Sequence, residues 1–377
     1  VIRTRDPDPP ARREPAFGAP GRDFALGVEE ELLTVEPSTL ALTHGGVDVL
    51  ERIDVSAGAG SAHPDTYAAL IELASPVCAN AQEGVARIAA LRAQAYAAGA
   101  TLIGAGVHPT GAFGDVVHVD EPRYDEIGAQ LRGLLRRTPT CALHVHVGMP
   151  DSATAIHVSN GLREWLPLLQ ALAGNSPFWH GVDSGLATAR AQLFRGYPRG
   201  DIPRAFASFE DFEESVAAVV ASGDAPDYTF LWWDIRPHPH LGTVEVRAMD
   251  AQSSLATIAG LAGLIHGLAR AAADDGVPTH GWSPREALME SSFRAARDGM
   301  HATLLHDGAL RPVAEIARAA MARALPYATE LGSDGALEQL ERVLADGAGA
   351  DRQRAAFARG GMRAVLEHLA AETAAEL

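Results

Sequence analysis

Phe24-Ala-Leu-Gly-Val-Glu-Glu-Glu-Leu-Leu33 is apolar at every second position. Phe24, Leu26, Val28 and Leu32 fall on one face of a strand, and Gly27, Glu29 and Glu31 on the other. Glu29 and Glu31 therefore lie roughly 7 Å apart on a shared face, with Glu30 pointing away from it. The same alternation predicts strands over 24–36, 67–75, 101–107, 140–149, 228–236 and 241–249, several of them stopped by Pro37, Pro76, Pro237 or Pro239. Helical spacing takes over at 82–98, where Val85, Ile88, Leu91 and Tyr96 form a stripe that Gly99 ends. It returns at 47–53, 120–136, 153–173 with a break near Pro167, 206–220, and almost continuously from Ser253 to the end, with breaks near 274–283, 306–311 and 347–351. The stretch 174–204 has no period and reads as a functional loop. Val1 to Gly21, rich in Pro, Arg and Asp, reads as a disordered arm, which leaves 22–377 as one domain. Strands first and helices last favour an α+β fold over a doubly wound sheet.

Composition narrows the class. A chain of 377 residues, 47% hydrophobic and 21% charged, is that of a globular protein. The net charge of -17 argues against a nucleic-acid partner, which needs basic surface. Lys is absent, so every basic side chain other than His is Arg. The alanine-rich runs are interrupted by Arg, His, Gln and Asp, so no membrane span is expected. Cys78 and Cys141 are too few for a disulfide framework or thiolate cluster and read as buried thiols. No secretory signal pattern opens the chain, and a cytoplasmic setting is the default expectation.

The polar positions within the strands carry the chemistry. His144 and His146 share a face opposite Leu143, Val145 and Val147. Glu72 interrupts an apolar strand, and Asp65, an odd seven residues earlier, can join it only from the preceding loop or a bulge. Thr243, Glu245 and Arg247 share a face, and Asp234 and Arg236 sit in an aromatic setting upstream. Four strands that each present carboxylate or imidazole imply a shared cation. The oxygen-rich, Cys-free donor set suits Mg2+ or Mn2+ better than structural zinc. His-x-His pairs also serve zinc hydrolases, so a metallohydrolase using His144, His146 and a metal-bound water stands as the alternative. Arginines beside oxygen-bound divalent metals point to phosphoryl transfer, and no P-loop or G-x-G-x-x-G is present to hold a nucleotide.

In order along the chain stand Leu26-Gly-Val-Glu-Glu-Glu31, Glu72-Leu-Ala, Gly104-Ala-Gly-Val-His-Pro109, Arg123-Tyr124 and His144-Val-His-Val-Gly148. Asn175-Ser-Pro-Phe178, Ala187-Thr-Ala-Arg190, Trp233-Asp-Ile-Arg-Pro237 and Gly242-Thr-Val-Glu-Val-Arg247 follow. With these motifs the chain, from about residue 24 onward, resembles the carboxylate-amine ligases of the glutamate-cysteine ligase type 2 group. The resemblance implies a glutamine-synthetase-like curved antiparallel sheet, with helices on its convex face and a helical C-terminal third that either packs there or mediates a homodimer. It implies ATP and Mg2+ (or Mn2+) as cofactors, with a small-molecule carboxylate and amine joined through an acyl phosphate. Carried over residue by residue, Glu29, Asp65 and Glu72 make one metal group, and Glu31, His144 and Glu245 a second. His146, Asp234 and Arg247 contact the nucleotide, and Arg190, Arg236 and Arg247 act in catalysis. Ala68 and Glu30 depart from the family's usual residues, and a degenerate nucleotide-binding member without turnover is a further reading.

Overall fold

The structure, a computed structural model, describes residues 15–375 except 54, 56, 57 and 280. Its organising element is strand β1 (Leu26–Thr34). After it come β2 (Ser61–His63), β3 (Leu70–Ala74), β4 (Leu102–Ile103), β5 (Ala142–Gly148), a small hairpin β6 (Phe178–Trp179) and β7 (Val182–Asp183), then β8 (Ile235–His238) and β9 (Thr243–Asp250). The main sheet runs β2-β3-β1-β5-β9-β8, with β4 paired to the end of β1, and its pairings are antiparallel. A second hairpin, β10 (Thr303–His306) and β11 (Ala309–Pro312), interrupts the C-terminal third expected to be helical.

Register aligns the polar positions. Glu29 faces His144 and Gly27 faces His146 across β1 and β5, Glu31 faces Glu72 across β1 and β3, and His146 and Arg236 both face Glu245. The sheet surface they share is the one that strand parity predicts, because one slip would invert the whole pattern.

The other surface is apolar and is covered by helices. Leu26, Val28 and Leu32 pack against Val85, Ile88 and Leu91 of helix Ala81–Ala97, whose N-cap Asn80 accepts from the Glu83 N–H. Gly84 lets that helix approach, since a Cβ there would stand 3.1 Å from both Leu26 and Val28 side chains. Behind it lies helix Leu255–Asp274, where Gly260, Gly263 and Gly267 admit Leu340, Leu337 and Ala324 to within 2.8 Å of a notional Cβ. This helix is long and apolar enough to cross a membrane by length and composition, contrary to the expectation from sequence, but 83% of its apolar window is buried in the fold. It is the central helix of the core. Much of the helical third packs on this apolar surface.

Glu30 crosses into that core. Its carboxylate and the guanidinium of Arg92 are both fully buried and joined at 2.8 and 2.6 Å, and Arg92 also donates to the carbonyls of Gln252, Ser253 and Thr373. Thr373 belongs to the last helix, Gly349–Ala374, which doubles back where Gly361 takes φ +66°. The return lets Arg352 meet Glu372, twenty residues on, at 3.0 Å.

Some boundaries moved. Residues 15–21 of the expected disordered arm are seated on the sheet's end, with Ala16 and Gly18 donating to the Pro239 and Met149 carbonyls. Residues 1–14 lie outside the described residues. The 174–204 stretch is not structureless, for it holds the β6–β7 hairpin and helix Ala189–Phe194. Pro167 divides two helices, Ser152–Arg163 and Leu166–Leu172, as expected. The strand expected over 228–236 is shorter, because Tyr228–Phe230 form a 3-10 turn under an Asp227 cap. Both cysteines are free and buried.

Candidate active site

The polar face of the sheet forms the floor of an open cleft. Glu29, Glu31, Glu72, His144, His146, Arg236, Glu245 and Arg247 rise from the strands. Asp65 comes from the loop between β2 and β3 and Arg190 from helix Ala189–Phe194. The loop origin of Asp65 resolves its parity with Glu72. Asp234 is the one expected site residue that the cleft lining does not include. It lies just before β8, bound through its backbone to Asp201 and Arg247, and burial and the neighbouring Asp201 push its carboxyl up to about 6.

Charges in the floor are arranged in a chain. Arg236 Nε donates to Glu245 Oε2 at 2.6 Å while Arg247 pairs with Glu245 Oε1. His146 Nε2 stands 3.7 Å from Glu245 and 3.5 Å from Glu29, and its Nδ1 lies 3.0 Å from Thr243 Oγ1. His144 is 3.4 Å from Glu29 and 3.9 Å from Glu31. Burial works against ionisation of Glu245, yet Arg236 and Arg247 hold its carboxyl well below the usual range. Burial is likewise outweighed at Glu29, where His146 and His144 keep the carboxylate charged. Glu31 has no such support. Burial and the nearby Asp65 push it up to about 8 against Arg190 and Arg247, although its Oε2 accepts the Ala142 N–H at 2.7 Å. Burial, with Arg247, brings His144 down to about 4 and so keeps it a neutral, ligand-competent imidazole.

These features suit a cation. Donor atoms of Glu29, His144 and Glu245 lie within 4.8 Å of one another, a spacing one ion with bonds of about 2.1 Å can span with small adjustment. Among the described residues the buried Nε2 atoms of His144 and His146 have no hydrogen-bond partner. Glu31 is a buried carboxylate short of positive charge, which a divalent ion supplies. The convergence differs from the grouping the resemblance implied: register brings Glu29 to His144 and sets Glu31 against Glu72, so Glu29 replaces Glu31 in the His144 and Glu245 group. His146 stands outside that donor group.

The cleft is also lined by Tyr67, Ile127, Leu131, Leu135, Tyr197 and Trp232, none of them among the expected site residues. Tyr67 and Tyr197 share a hydrogen bond at 3.2 Å, and Tyr67 donates to the Leu135 carbonyl. Arg190 and Arg137 stack on Phe194 and Tyr197. These residues come from helices and loops whose only signal was apolar spacing, indistinguishable from core.

An antiparallel sheet that lays carboxylates, imidazoles and arginines along one face and helices along the other is the frame of a carboxylate-amine ligase. The chain belongs to glutamate-cysteine ligase family 2, whose sequence profile matches residues 25–368. It is 38% identical to a putative glutamate–cysteine ligase 2-3 of Rubrobacter xylanophilus over 96% of this chain and 100% of that protein. It is 35% identical to a glutamate–cysteine ligase of Halobacterium salinarum over 74% of this chain and 80% of the other. The fold matches the crystal structure of a Francisella tularensis glutamate–cysteine ligase in complex with AMP, with TM-score 0.68 at 13% identity, over 93% of this chain and 89% of that one. A bifunctional glutathione synthetase of Pasteurella multocida matches at TM-score 0.64 and 14% identity over 93% of this chain and 52% of its own. The protein is an enzyme of the carbon–nitrogen ligase type.

Proposed function

We propose that this enzyme forms an amide from a small carboxylic acid and an amine, with cleavage of ATP to ADP and phosphate. A carboxylate oxygen attacks the γ-phosphorus, the bond to the bridging oxygen breaks, and ADP leaves an acyl phosphate. The amine nitrogen then attacks the acyl carbon, the bond to phosphate breaks, and the nitrogen passes a proton to the departing phosphate. The observation that carries this reading is the convergence of Glu29, His144 and Glu245 beside Arg190, Arg236 and Arg247 on one sheet face. The three guanidiniums bind and orient anionic oxygens and offset charge that grows there in the transition state. Arg247 and His146 are set to meet the nucleotide phosphates. Glu29, His144 and Glu245 would hold one Mg2+ or Mn2+, and Glu31, Asp65 and Glu72 would hold a second. Metals held by these residues would neutralise phosphate charge and polarise the γ-phosphoryl group. The relatives' names put glutamate and cysteine first among the pairs to try, and a cytoplasmic setting belongs to the same proposal.

The test is an ATP-hydrolysis screen over paired acids and amines with Mg2+ or Mn2+, followed by mass spectrometry of the product. Phosphate release that needs both partners, with a new amide, is the expected result. Zinc-dependent, ATP-independent cleavage of an amide or ester would transfer the site to hydrolysis.

A further inference from the structure

Behind Arg190 the sheet holds a carboxylate that takes no part in the cleft surface. Asp250 ends β9 and is 2% exposed. Its Oδ2 accepts from the Asn175 N–H at 2.9 Å and from Ser176 Oγ at 2.7 Å, and its Oδ1 from Thr188 Oγ1 at 2.8 Å. A second tier of bonds starts from those hydroxyls: Ser176 Oγ accepts the Arg190 N–H and Thr188 Oγ1 the Ala191 N–H, each at 3.2 Å. One carboxylate thus ties both ends of the 175–190 segment and, through them, the first turn of the helix that carries Arg190. Gly106 leaves the carboxylate room, since a Cβ there would stand 2.6 Å from Asp250 Cγ.

The guanidinium itself is held loosely. Arg190 is 5% exposed and stacks on Phe194; among the described residues its Nε has no hydrogen-bond partner and its guanidinium makes one hydrogen bond, to the Arg247 carbonyl, 3.4 Å long. Its nearest counter-charge is Asp250 Oδ1, 4.0 Å from Nη1. A serine or asparagine would suffice to pin a loop. A buried carboxylate is costly, and what it adds is an electrostatic hold on the arginine in front of it.

We propose that Asp250 is a positioning residue for Arg190, holding the guanidinium from behind so that it meets an anionic substrate group with little reorganisation. The inference rests on the ligase reading only for what Arg190 meets in the cleft. The test is a double-mutant cycle of Asp250→Asn and Arg190→Ala on amide formation. Arg190→Ala should lower kcat/KM about 100-fold, and Asp250→Asn about 10-fold, with the loss in kcat rather than in KM for the amine. In the Arg190→Ala background the Asp250→Asn change should cost under about 2-fold. Equal losses in both backgrounds would show that Asp250 only supports the fold.

A second measurement needs no turnover. The Arg190 Nε–Hε resonance, assigned by its disappearance in Arg190→Ala, should shift and broaden in Asp250→Asn; an unchanged resonance overturns the proposal. If no acid and amine pair is turned over, the ligase reading fails and this resonance alone decides the positioning role. Should Asp250→Asn not fold, Thr188→Val keeps the charge, removes one of its three bonds, and should still displace the Arg190 signal.

Discussion

Glu30 is the residue whose replacement separates fold from site. Both Glu30 and Arg92 are fully buried, and two hydrogen bonds at 2.8 and 2.6 Å join them. In Glu30→Gln the guanidinium stays buried among the Gln252, Ser253 and Thr373 carbonyls, with no compensating charge. Breaking a buried pair from one side costs about 3–5 kcal/mol. With one amide oxygen still available to Arg92, the lower end, about 3 kcal/mol, is expected. An unfolding entropy of about 2.1 cal/mol/K per residue gives roughly 0.8 kcal/mol/K for a chain of 377 residues, so Tm should fall by about 4 °C. The measurements are thermal unfolding by calorimetry and steady-state kinetics at a temperature where both proteins are folded. Because Glu30 points away from the cleft, kcat/KM should stay within about 2-fold of the parent. A Tm unchanged within error, or a large kinetic loss in a fully folded variant, would refute the reasoning.

Three further outcomes follow from the site and the core. Glu29→Gln should abolish metal-dependent turnover without lowering the Tm of the metal-free protein, whereas Glu245→Gln, which strips the partner from buried Arg236 and Arg247, should lower both; equal Tm values for the two variants would contradict this. Dialysis against a chelator should remove activity, and Mg2+ or Mn2+ should restore it more fully than Zn2+, read as phosphate release. His266, between the Phe24 carbonyl at 2.6 Å and Ser333 Oγ at 2.8 Å, is pushed below its ordinary value of 6.5 by burial. The unfolded chain therefore takes up the proton first, so this stability is full above pH 6.5 and falls as pH drops below it. Denaturant midpoints at pH 7.5 and 5.5 should differ more in the parent than in His266→Gln.

The floor of the site was legible because a strand's period is two, so parity alone assigned Glu29, Glu31, His144, His146 and Glu245 to one surface and Glu30 to the other. What parity does not give is which strands are neighbours. The pairing of Glu29 with His144 rather than with Asp65 and Glu72 is a property of register between distant segments. Asp234 lies outside the cleft lining for a related reason, since it precedes β8 and escapes the alternation that orients Arg236. Asp250 lies one residue past the strand predicted over 241–249, and its partners lie more than sixty residues away. The β10–β11 hairpin was hidden in helical surroundings, where four-residue strands leave too short a pattern to read.

The two sides of β1 are coupled. If β1 slipped by one residue against β3 and β5, Glu29 and Glu31 would enter the apolar helical layer and Glu30 would enter the cleft. Hydrophobic patterning already penalises that slip, because Leu26, Val28 and Leu32 would leave the apolar layer. Arg92 penalises it strongly, since it would face two carboxylates or none at bonding distance. On this argument the Glu30–Arg92 pair contributes to register more than to net stability, as buried pairs do in other settings. Glu30→Leu combined with Arg92→Met removes both charges and, with water hydrating the carbonyls that Arg92 leaves, should recover most of the Tm lost in Glu30→Gln. The three carbonyls left without Arg92 hold back roughly 1–3 kcal/mol apiece unless water reaches them. Its urea unfolding should nonetheless be less cooperative, with a lower m-value and faster hydrogen exchange along 26–34 than in the parent. A double variant that unfolds with the parent's m-value and keeps its exchange protection would show that register is set elsewhere, by the turns or by β5.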